Sequence, residues 1–341
     1  ALLDKLAQLD VVGVFHDAFL GNLIYCWLDG DERALRDLTI QTYGLHAWTN
    51  DESYLIDVTD MMKRRPMLEC VARSTVAAVA HAEHYAGRLR AASKGPVEII
   101  PLAFSCDEMP PVPSAWDRMT VGVVGHANAN KRIDQLLMAI GASHLLRSRC
   151  RVKVIGAISD AERDRLNDIA RAVDVTPPTF MGWVPDEDLP WQLRDVDVIS
   201  CLRNPVLEGA SASLILAMQS RRPTLVTDHG CYSELPDDTL LKCSPEREAV
   251  DVMRHLERLI QDPLRMKPLG ERARELALRR HSPVAYVDEL IPLLLRVAEA
   301  RPAIDAARSL ASTLSDFGLG SDDPANARAQ GVLAQLLEQH H

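Results

Sequence analysis

The chain has 341 residues, of which 47% are hydrophobic and 25% are charged, a composition typical of a globular protein with room for two domains. Its formal net charge of −10, without a long Lys/Arg stripe, argues against a nucleic-acid-binding surface. The seven cysteines are scattered singly, which fits reduced thiols in a cytosol and argues against a disulfide framework or a zinc site. No apolar run approaches ~18 residues and no signal peptide is visible, so we expect no transmembrane segment.

Short apolar runs alternate along the chain with stretches that carry an apolar residue every three or four positions. The runs that predict strands are Val11–Phe15, Val76–Ala80, Val97–Leu102, Met119–Gly125, Val152–Gly156, Val196–Leu202 and Thr224–Thr227. The clearest helix-like stretches between them are Ile133–Leu146, Ala161–Val173 and Ala210–Ser220. This alternation is typical of βαβ units, and runs that are apolar at every residue suit strands buried on both faces. The predicted fold class is therefore α/β with parallel sheets.

A proline-rich segment interrupts this alternation. Three prolines lie within Pro110–Pro113, and because each removes a backbone donor and fixes φ, the segment cannot continue a helix or a strand. Residues 246–300 follow a mainly helical pattern, and a last helix is predicted at about Ala327–Leu337. The predicted organisation is an N-terminal domain at 1–105, a linker at 106–117, a C-terminal domain at 118–300 and a helical tail at 301–341.

Residues 197–236 carry the strongest functional pattern. A turn rich in serine and glycine opens the apolar helix near Ala210, so free backbone N–H groups lie at the positive end of the helix dipole, where phosphate binds. Ser211 and Ser213 are also ordinary N-cap residues, which is compatible with phosphate binding. Glu208 stands just before this turn, where a carboxylate is unfavourable unless it binds hydroxyl groups. The segment therefore predicts a site for a molecule with a diphosphate at one end and a polyol at the other.

Other polar residues follow the carboxyl ends of the predicted strands, where parallel sheets bind their ligands. They are His16-Asp17, the segment from His126 to Arg132, Gly156, Arg203 and Asp228-His229-Gly230. Lys131 and Arg132 open a helix, and because cations oppose the helix dipole there, a nearby anion explains them better than a solvated turn. His16 and Asp17 are either a satisfied pair at a strand end or functional residues that face a cleft between two domains. Trp183 is either a core residue or a residue whose backbone faces a base.

The chain resembles the retaining glycosyltransferases of family 4, which have the GT-B fold of two facing Rossmann-like domains. The matching pieces are Val121–Gly125 with Lys131-Arg132 and Leu136-Leu137, Val152–Gly156, Gly182–Val184, Asp197-Val198, Glu208–Ser213, Ala217-Met218, Arg222-Pro223, and Gly230 with Glu234–Pro236. The His16-Asp17 pair after an early strand makes the resemblance nearest to bacterial polysaccharide-assembly enzymes. The resemblance covers about residues 9–300.

The resemblance implies an enzyme that transfers a hexose from a nucleotide-diphosphate sugar to a glycan or lipid-linked acceptor, with retention and without a metal or cofactor. It also implies a cytoplasmic protein, and it is compatible with peripheral association at the inner face of the membrane. The implied roles are donor diphosphate binding by Lys131, Arg132, His126, Ser211 and Ser213, donor sugar binding by Glu208, contact with the nucleotide base by Gly182, Trp183 and Val184, and catalysis by His16 and Asp17.

Three departures from the family pattern shape the expectations. Leu216 stands where many members carry a second glutamate that binds the ribose, and His126 replaces a frequent arginine after the strand glycine. Nothing before Leu9 supplies the family's first strand and Gly-rich loop, so we expect a truncated N-terminal domain with upstream residues missing. Two alternatives stay open: a non-catalytic nucleotide-sugar-binding protein, and another enzyme of this fold such as a nucleotide-sugar epimerase. A sugar phosphorylase would normally need a cofactor lysine, for which the sequence offers no basis.

Overall fold

The computed structural model describes residues 9–47, 61, 64–105 and 117–318, together with 323–324, 327–329 and 331–332. The chain divides into two compact units, residues 1–287 and residues 288–341. Both β-sheets belong to the first unit. Within the described residues, no helix combines the length and the apolar character needed to cross a bilayer.

The first sheet has three parallel strands in the order β1-β2-β3. Its strands are β1 Val12–Phe15, β2 Ala77–Ala80 and β3 Val97–Ile99. In the central strand every residue is buried, as expected for a parallel strand covered on both faces. The accompanying helices are α1 Gly21–Trp27, α2 Glu32–Tyr43, α3 Leu68–Ala72 and α4 Glu83–Ala92.

The second sheet has six parallel strands in the order β6-β5-β4-β7-β8-β9. The strands are β4 Met119–Val124, β5 Cys150–Ile155, β6 Thr179–Phe180, β7 Val198–Cys201, β8 Thr224–Thr227 and β9 Leu241–Cys243. Strand β4 lies at the centre, where Val121 pairs with Val152 on one side and with Val198 on the other. The helices of this part are α5 Ile133–Gly141, α6 His144–Arg149, α7 Asp160–Ala172, α8 Leu189–Leu193, α9 Ala212–Gln219, α10 Glu248–Gln261 and α11 Met266–Arg280.

A buried arginine, Arg222, binds backbone carbonyl groups near the amino-terminal ends of strands β7 and β8. The Arg222 guanidinium donates to the carbonyl oxygens of Val196 at 2.8 Å, Ser220 at 2.9 Å and Leu193 at 2.6 Å. Burial lowers the pKa of Arg222 to about 10, and Asp197 acts in the opposite direction. Three charge-assisted hydrogen bonds make up for part of the cost of burying the charge. The Arg-Pro pair quoted for the resemblance therefore has a structural role at the edge away from the strand carboxyl ends.

The two sheets share one apolar core. Its buried members include Phe15 and Ala80 of the first sheet, Ile199 of the second sheet, and Leu214 of helix α9. Because apolar burial stabilises packing by about 25 cal/mol per Å², this shared core keeps the two sheets packed against each other. A second cluster lies under β4, β5 and helix α5, and a third, smaller one joins α1, α2 and the start of α3.

The predicted α/β class with parallel sheets is confirmed, and all seven predicted strands are present with their ends shifted by at most a few residues. The prediction of one continuous helix at 133–146 is wrong, because helix α5 ends at Gly141 and a new helix begins after Ser143. The Ser143 hydroxyl accepts a hydrogen bond from Leu146 N and so caps the new helix. Strands β6 and β9 were not predicted, because two- and three-residue strands leave too short a pattern.

Residues 246–300 are mainly helical, as predicted. The last long helix, α12, spans Pro283–Asp316, so the domain end predicted at residue 300 falls inside it. Residues 106–116 of the predicted linker lie outside the described residues, as does most of the predicted helix at 327–337. The four domain boundaries stay predictions.

Candidate functional site

The loop after β1 and the turn before α9 are hydrogen-bonded to each other. Ala18 N donates to Leu207 O at 2.7 Å, and Gly209 N donates to His16 O at 2.7 Å. Between these bonds Asp17 and Glu208 form an antiparallel bridge. The contact brings the predicted catalytic pair of the first sheet beside the predicted sugar-binding glutamate of the second.

Tyr85 of helix α4 sets the distance between these two segments. Its hydroxyl donates to Phe15 O at 2.6 Å and accepts from His81 N at 2.6 Å. A Cβ added to Gly209 would lie 2.4 Å from the Tyr85 hydroxyl oxygen, closer than real contacts allow. Position 209 therefore requires glycine because the backbone approaches a ring that is fixed at both of its hydrogen bonds.

Glu208 is held by two side chains from its own sheet. Its Oε1 accepts from the Tyr232 hydroxyl at 2.6 Å and lies 3.2 Å from Nε of Arg203. Arg203 is buried, and its other nitrogens donate to Leu202 O at 2.8 Å and to Ser213 Oγ at 3.3 Å. Sequence reasoning did not include Arg203 among the site residues, although its place directly after a buried strand was the available signal.

Two carboxylates lie close together at this point. Burial raises the pKa of Asp17, the neighbouring Glu208 raises it further, and His16 lowers it. His16 Nδ1 lies 3.0 Å from Nε2 of His81, a residue that sequence reasoning missed. The site therefore brings two carboxylates and two histidines together, and the charges around Asp17 act on its pKa in opposite directions.

Lys131 is buried beneath the loop that follows β4. It ends the 3-10 turn Ala129–Lys131, and its Nζ donates to Val124 O. A Cβ on Gly125 would lie 3.0 Å from Nζ, and this glycine has φ of +93°, so it provides both the space and the turn. The pKa of Lys131 is lowered to about 8. Burial is the largest cause and Arg203 the second, whereas Glu208 acts in the opposite direction. A buried ammonium that repels a neighbouring guanidinium is well suited to receive an anion.

The N-terminus of helix α9 lies next to these cations. Ser211 is its N-cap and accepts from Leu214 N at 3.4 Å. The Ser211 and Ser213 hydroxyl oxygens are 3.1 Å apart, and Ser213 also contacts Arg203. The predicted cap is present, and it is continuous with the Arg203–Glu208 pair.

Arg132 and His126, the other two side chains predicted to bind phosphate, do not share the buried position of Lys131. Arg132, in the left-handed region at φ of +55°, directs its Nε to Glu248 Oε2 at 2.8 Å. Glu248 also accepts from the Thr227 hydroxyl at 2.6 Å, so this ion pair is tied to the end of β8. His126 is exposed on the loop after β4. Their roles in diphosphate binding stay predictions.

The predicted base-binding segment forms a turn at the end of β6. Gly182 has φ of +73°, and its carbonyl accepts from Gly156 N at 2.8 Å. Trp183 is 74% exposed, so the interpretation of this residue as a core residue is wrong, whereas Val184 packs against the shared apolar core. An exposed indole just after the edge strand β6 is available for contact with a planar ring.

Leu216 is buried in the shared core, in the middle of helix α9. Its neighbours from Leu214 to Gln219 are buried as well. Leucine at this position therefore serves the packing of α9. Over the part of the chain that the structure describes, no three His, Cys, Asp or Glu side chains form a group that could hold a metal ion.

Part of the chain matches a known protein family. Residues 118–262 match the profile of the family described as "Glycosyl transferases group 1", and this segment contains the six-stranded sheet. No curated protein sequence matches the chain.

Several solved structures are similar in fold. They include sucrose-phosphate synthase from Thermosynechococcus elongatus (TM-score 0.59, 19% identity, covering 78% of this chain and 66% of that one), HepE from Anabaena in complex with UDP and glucose (0.59, 15%, 71% and 68%), and a TarM mutant from S. aureus in complex with fondaparinux, α-GlcNAc-glycerol and UDP (0.58, 17%, 72% and 49%). The chain thus covers just under two thirds of the synthase. Its two parallel sheets have the GT-B fold.

Proposed function

We propose that the chain is a retaining glycosyltransferase of family 4 that transfers a hexose from a nucleotide-diphosphate sugar to a hydroxyl of a glycan or lipid-linked acceptor. The observation that carries the proposal is one continuous group of side chains. Lys131, Arg203 and the N-terminus of α9 lie together, Glu208 contacts Arg203, and the segment around Glu208 is hydrogen-bonded to that of His16. The order of charges, cationic and then anionic, suits a ligand with a diphosphate and a sugar.

The cationic end is suited to the leaving diphosphate. Lys131 and Arg203 are both buried, so their attraction for an anion is little screened by water. The free N–H groups of the first turn of α9 add hydrogen bonds and the positive end of the helix dipole. In this proposal these groups take the place of a metal ion in stabilising the charge that develops on the diphosphate.

The anionic end is suited to the sugar. Both contacts of Glu208 are made by Oε1, with Tyr232 and Arg203, and they fix the carboxylate in one orientation. We propose that Oε2 accepts a hydrogen bond from a hydroxyl of the hexose. A carboxylate that is fixed before binding loses less side-chain entropy when the sugar arrives, which favours selective recognition.

In the proposed reaction the bond from C1 of the hexose to the diphosphate oxygen breaks, and a bond from C1 to the acceptor oxygen forms on the same face. A leaving phosphate oxygen takes the proton of the acceptor hydroxyl. His16 and Asp17 lie beside the Glu208 segment, and they are proposed to bind and orient the reacting groups. An acceptor on a lipid carrier would require peripheral association with the inner face of the membrane.

The structures of HepE and TarM were determined in complex with UDP, which makes UDP-sugars the first donors to test. A second candidate function, nucleotide-sugar binding without transfer, is favoured by Leu216, because an apolar side chain cannot bind the ribose hydroxyls.

The test is calorimetric titration with UDP-glucose, UDP-N-acetylglucosamine and GDP-mannose. We expect one donor to bind, and Lys131→Ala to weaken that binding by roughly tenfold or more, the scale of one charge-assisted contact. Lys267→Ala, which removes the same charge from an exposed position on α11, is the matched control and should bind normally. Absence of binding to every donor, or equal losses in both variants, would refute the proposed site.

Turnover separates the two candidate functions. Release of UDP with transfer to an added acceptor supports the transferase, and an unchanged anomeric configuration in the product supports retention. Full activity in EDTA supports metal independence. Tight binding without transfer or hydrolysis for any acceptor would favour the binding protein.

A further inference from the structure

Two histidines link the proposed site to the end of β3. His81 follows β2, is buried, and has its Nδ1 2.7 Å from Ile100 O. Its Nε2 lies 3.0 Å from Nδ1 of His16, and the two ring centroids are 4.8 Å apart. Ile100 O, His81 and His16 therefore form one chain of hydrogen bonds that runs from a buried carbonyl to the site.

The carbonyl determines where the protons lie in this chain. Since Ile100 O can only accept, His81 Nδ1 must carry a hydrogen. Burial lowers the pKa of His81, and the neighbouring His16 lowers it further, so the His81 ring is neutral near pH 7. In a neutral ring that is protonated on Nδ1, Nε2 is an acceptor. His16 must then donate from its own Nδ1, and in the uncharged form of the His16 ring this leaves the lone pair on Nε2.

The surroundings of His81 support the neutral state. Tyr85 accepts from its backbone N–H, Tyr286 lies at a ring-centroid distance of 6.4 Å, and His281 and Arg280 line the same small cavity of about 30 Å³. Burial lowers the pKa of His281 to about 4, so that ring is also neutral. None of these neighbours is a carboxylate, so none of them would favour a charged His81.

We propose that His81 is a positioning residue that makes the tautomer protonated on Nδ1 the favoured uncharged form of His16. His16 Nε2 then accepts a hydrogen bond from a hydroxyl of the sugar or the acceptor. The consequence for turnover rests on the proposed function, whereas the tautomer of His16 does not. His81 would otherwise be a buried structural residue, so the test uses a property that packing alone would not change.

Two substitutions at position 81 separate the two hydrogen bonds of the ring. In His81→Asn the amide nitrogen can replace Nδ1 and donate to Ile100 O, but nothing reaches His16. In His81→Gln the amide oxygen can replace Nε2 and accept from His16. Asparagine therefore removes the contact with the site, and glutamine restores it.

The first measurement is the ¹⁵N spectrum of the histidine rings at neutral pH, with the His16 signals assigned from their loss in His16→Gln. We expect His16 to be protonated on Nδ1 in the unsubstituted protein and in His81→Gln, and to shift toward the Nε2-protonated form in His81→Asn. Protonation of His16 on Nε2 in the unsubstituted protein, or the same tautomer in all three proteins, would overturn the proposal.

The second measurement is steady-state kinetics with the donor identified by calorimetry. We expect His81→Asn to lower kcat about tenfold or more with little change in donor affinity, and His81→Gln to recover most of the loss. Equal rates in both variants would contradict the positioning role. If no donor is turned over, the proposed function fails, while the spectra still decide whether His81 sets the tautomer.

Discussion

The burial of Lys131 gives the proposed donor site a pH dependence with a defined direction. Its pKa is lowered to about 8, mainly by burial and secondly by Arg203. The protonated fraction should therefore fall from about nine tenths at about pH 7 to about one tenth at about pH 9. If only the ammonium form binds the diphosphate, donor affinity falls about ninefold over this range, equivalent to about 1.3 kcal/mol.

The stability of the free protein should change in the opposite direction. Because the pKa of Lys131 is lower in the folded protein than in the unfolded chain, folding favours the neutral amine. Its contribution to the free energy of unfolding therefore rises with pH above about 8, by about 1.3 kcal/mol between about pH 7 and about pH 9. Weaker donor binding in a more stable free protein would be hard to attribute to partial unfolding.

Calorimetric titration of the donor at several pH values measures the effect, and thermal unfolding without ligand measures the stability. Lys131→Arg, which stays charged throughout, should bind with an affinity that depends little on pH, and Lys131→Ala should bind weakly at every pH. Any titration of the donor itself is common to all three proteins and cancels. An affinity that falls equally in the unsubstituted protein and in Lys131→Ala would refute the reasoning.

Substitutions at four further positions have definite expectations. Glu208→Gln should weaken binding of the UDP-sugar about tenfold but leave the affinity for UDP nearly unchanged, which calorimetry with both ligands measures. Trp183→Ala should leave thermal stability within about 0.5 kcal/mol, since the ring is exposed, and should weaken UDP binding by about 1 kcal/mol or more if the indole stacks on the base. Glu234→Ala should cost about 1–2 kcal/mol of stability, because its carboxylate accepts two N–H groups from the first turn of α4. Leu216→Glu should destabilise the fold by several kcal/mol without improving UDP binding, whereas Leu216→Met should be tolerated.

The α/β architecture was predictable because its signal is local. Strands such as β4 and β8 are mainly apolar or β-branched and are buried at every position, as a parallel sheet requires wherever both faces are covered. Glu208 and the Ser211 cap were also found from local features, namely an acid before a small-residue turn that opens an apolar helix. Their proposed roles stay predictions, but the cap geometry is present.

The remaining contacts of the site join distant parts of the chain, and a local pattern cannot indicate them. His81 and His16 are 65 residues apart, and the partner of Arg132 lies 116 residues further along. The Arg132–Glu248 pair depends on where helix α10 begins relative to β4, which follows from the order of strands in the sheet. Strand-end positions do limit the search, since Arg203 and His81 both directly follow predicted strands.

The two ends of the proposed donor site share their charges. Arg203 lowers the pKa of Lys131 by repulsion, and Glu208 opposes that effect while it is paired with Arg203. A bound diphosphate would relieve the repulsion between the two cations, and it would also compete with Glu208 for Arg203. In the proposed function, sugar selectivity and diphosphate affinity depend on the same three side chains, so substitutions at Lys131, Arg203 and Glu208 should act on binding non-additively. Coupling of this kind makes the site sensitive to whether the diphosphate and the hexose are still joined, which is the distinction a transferase has to make between its donor and its product.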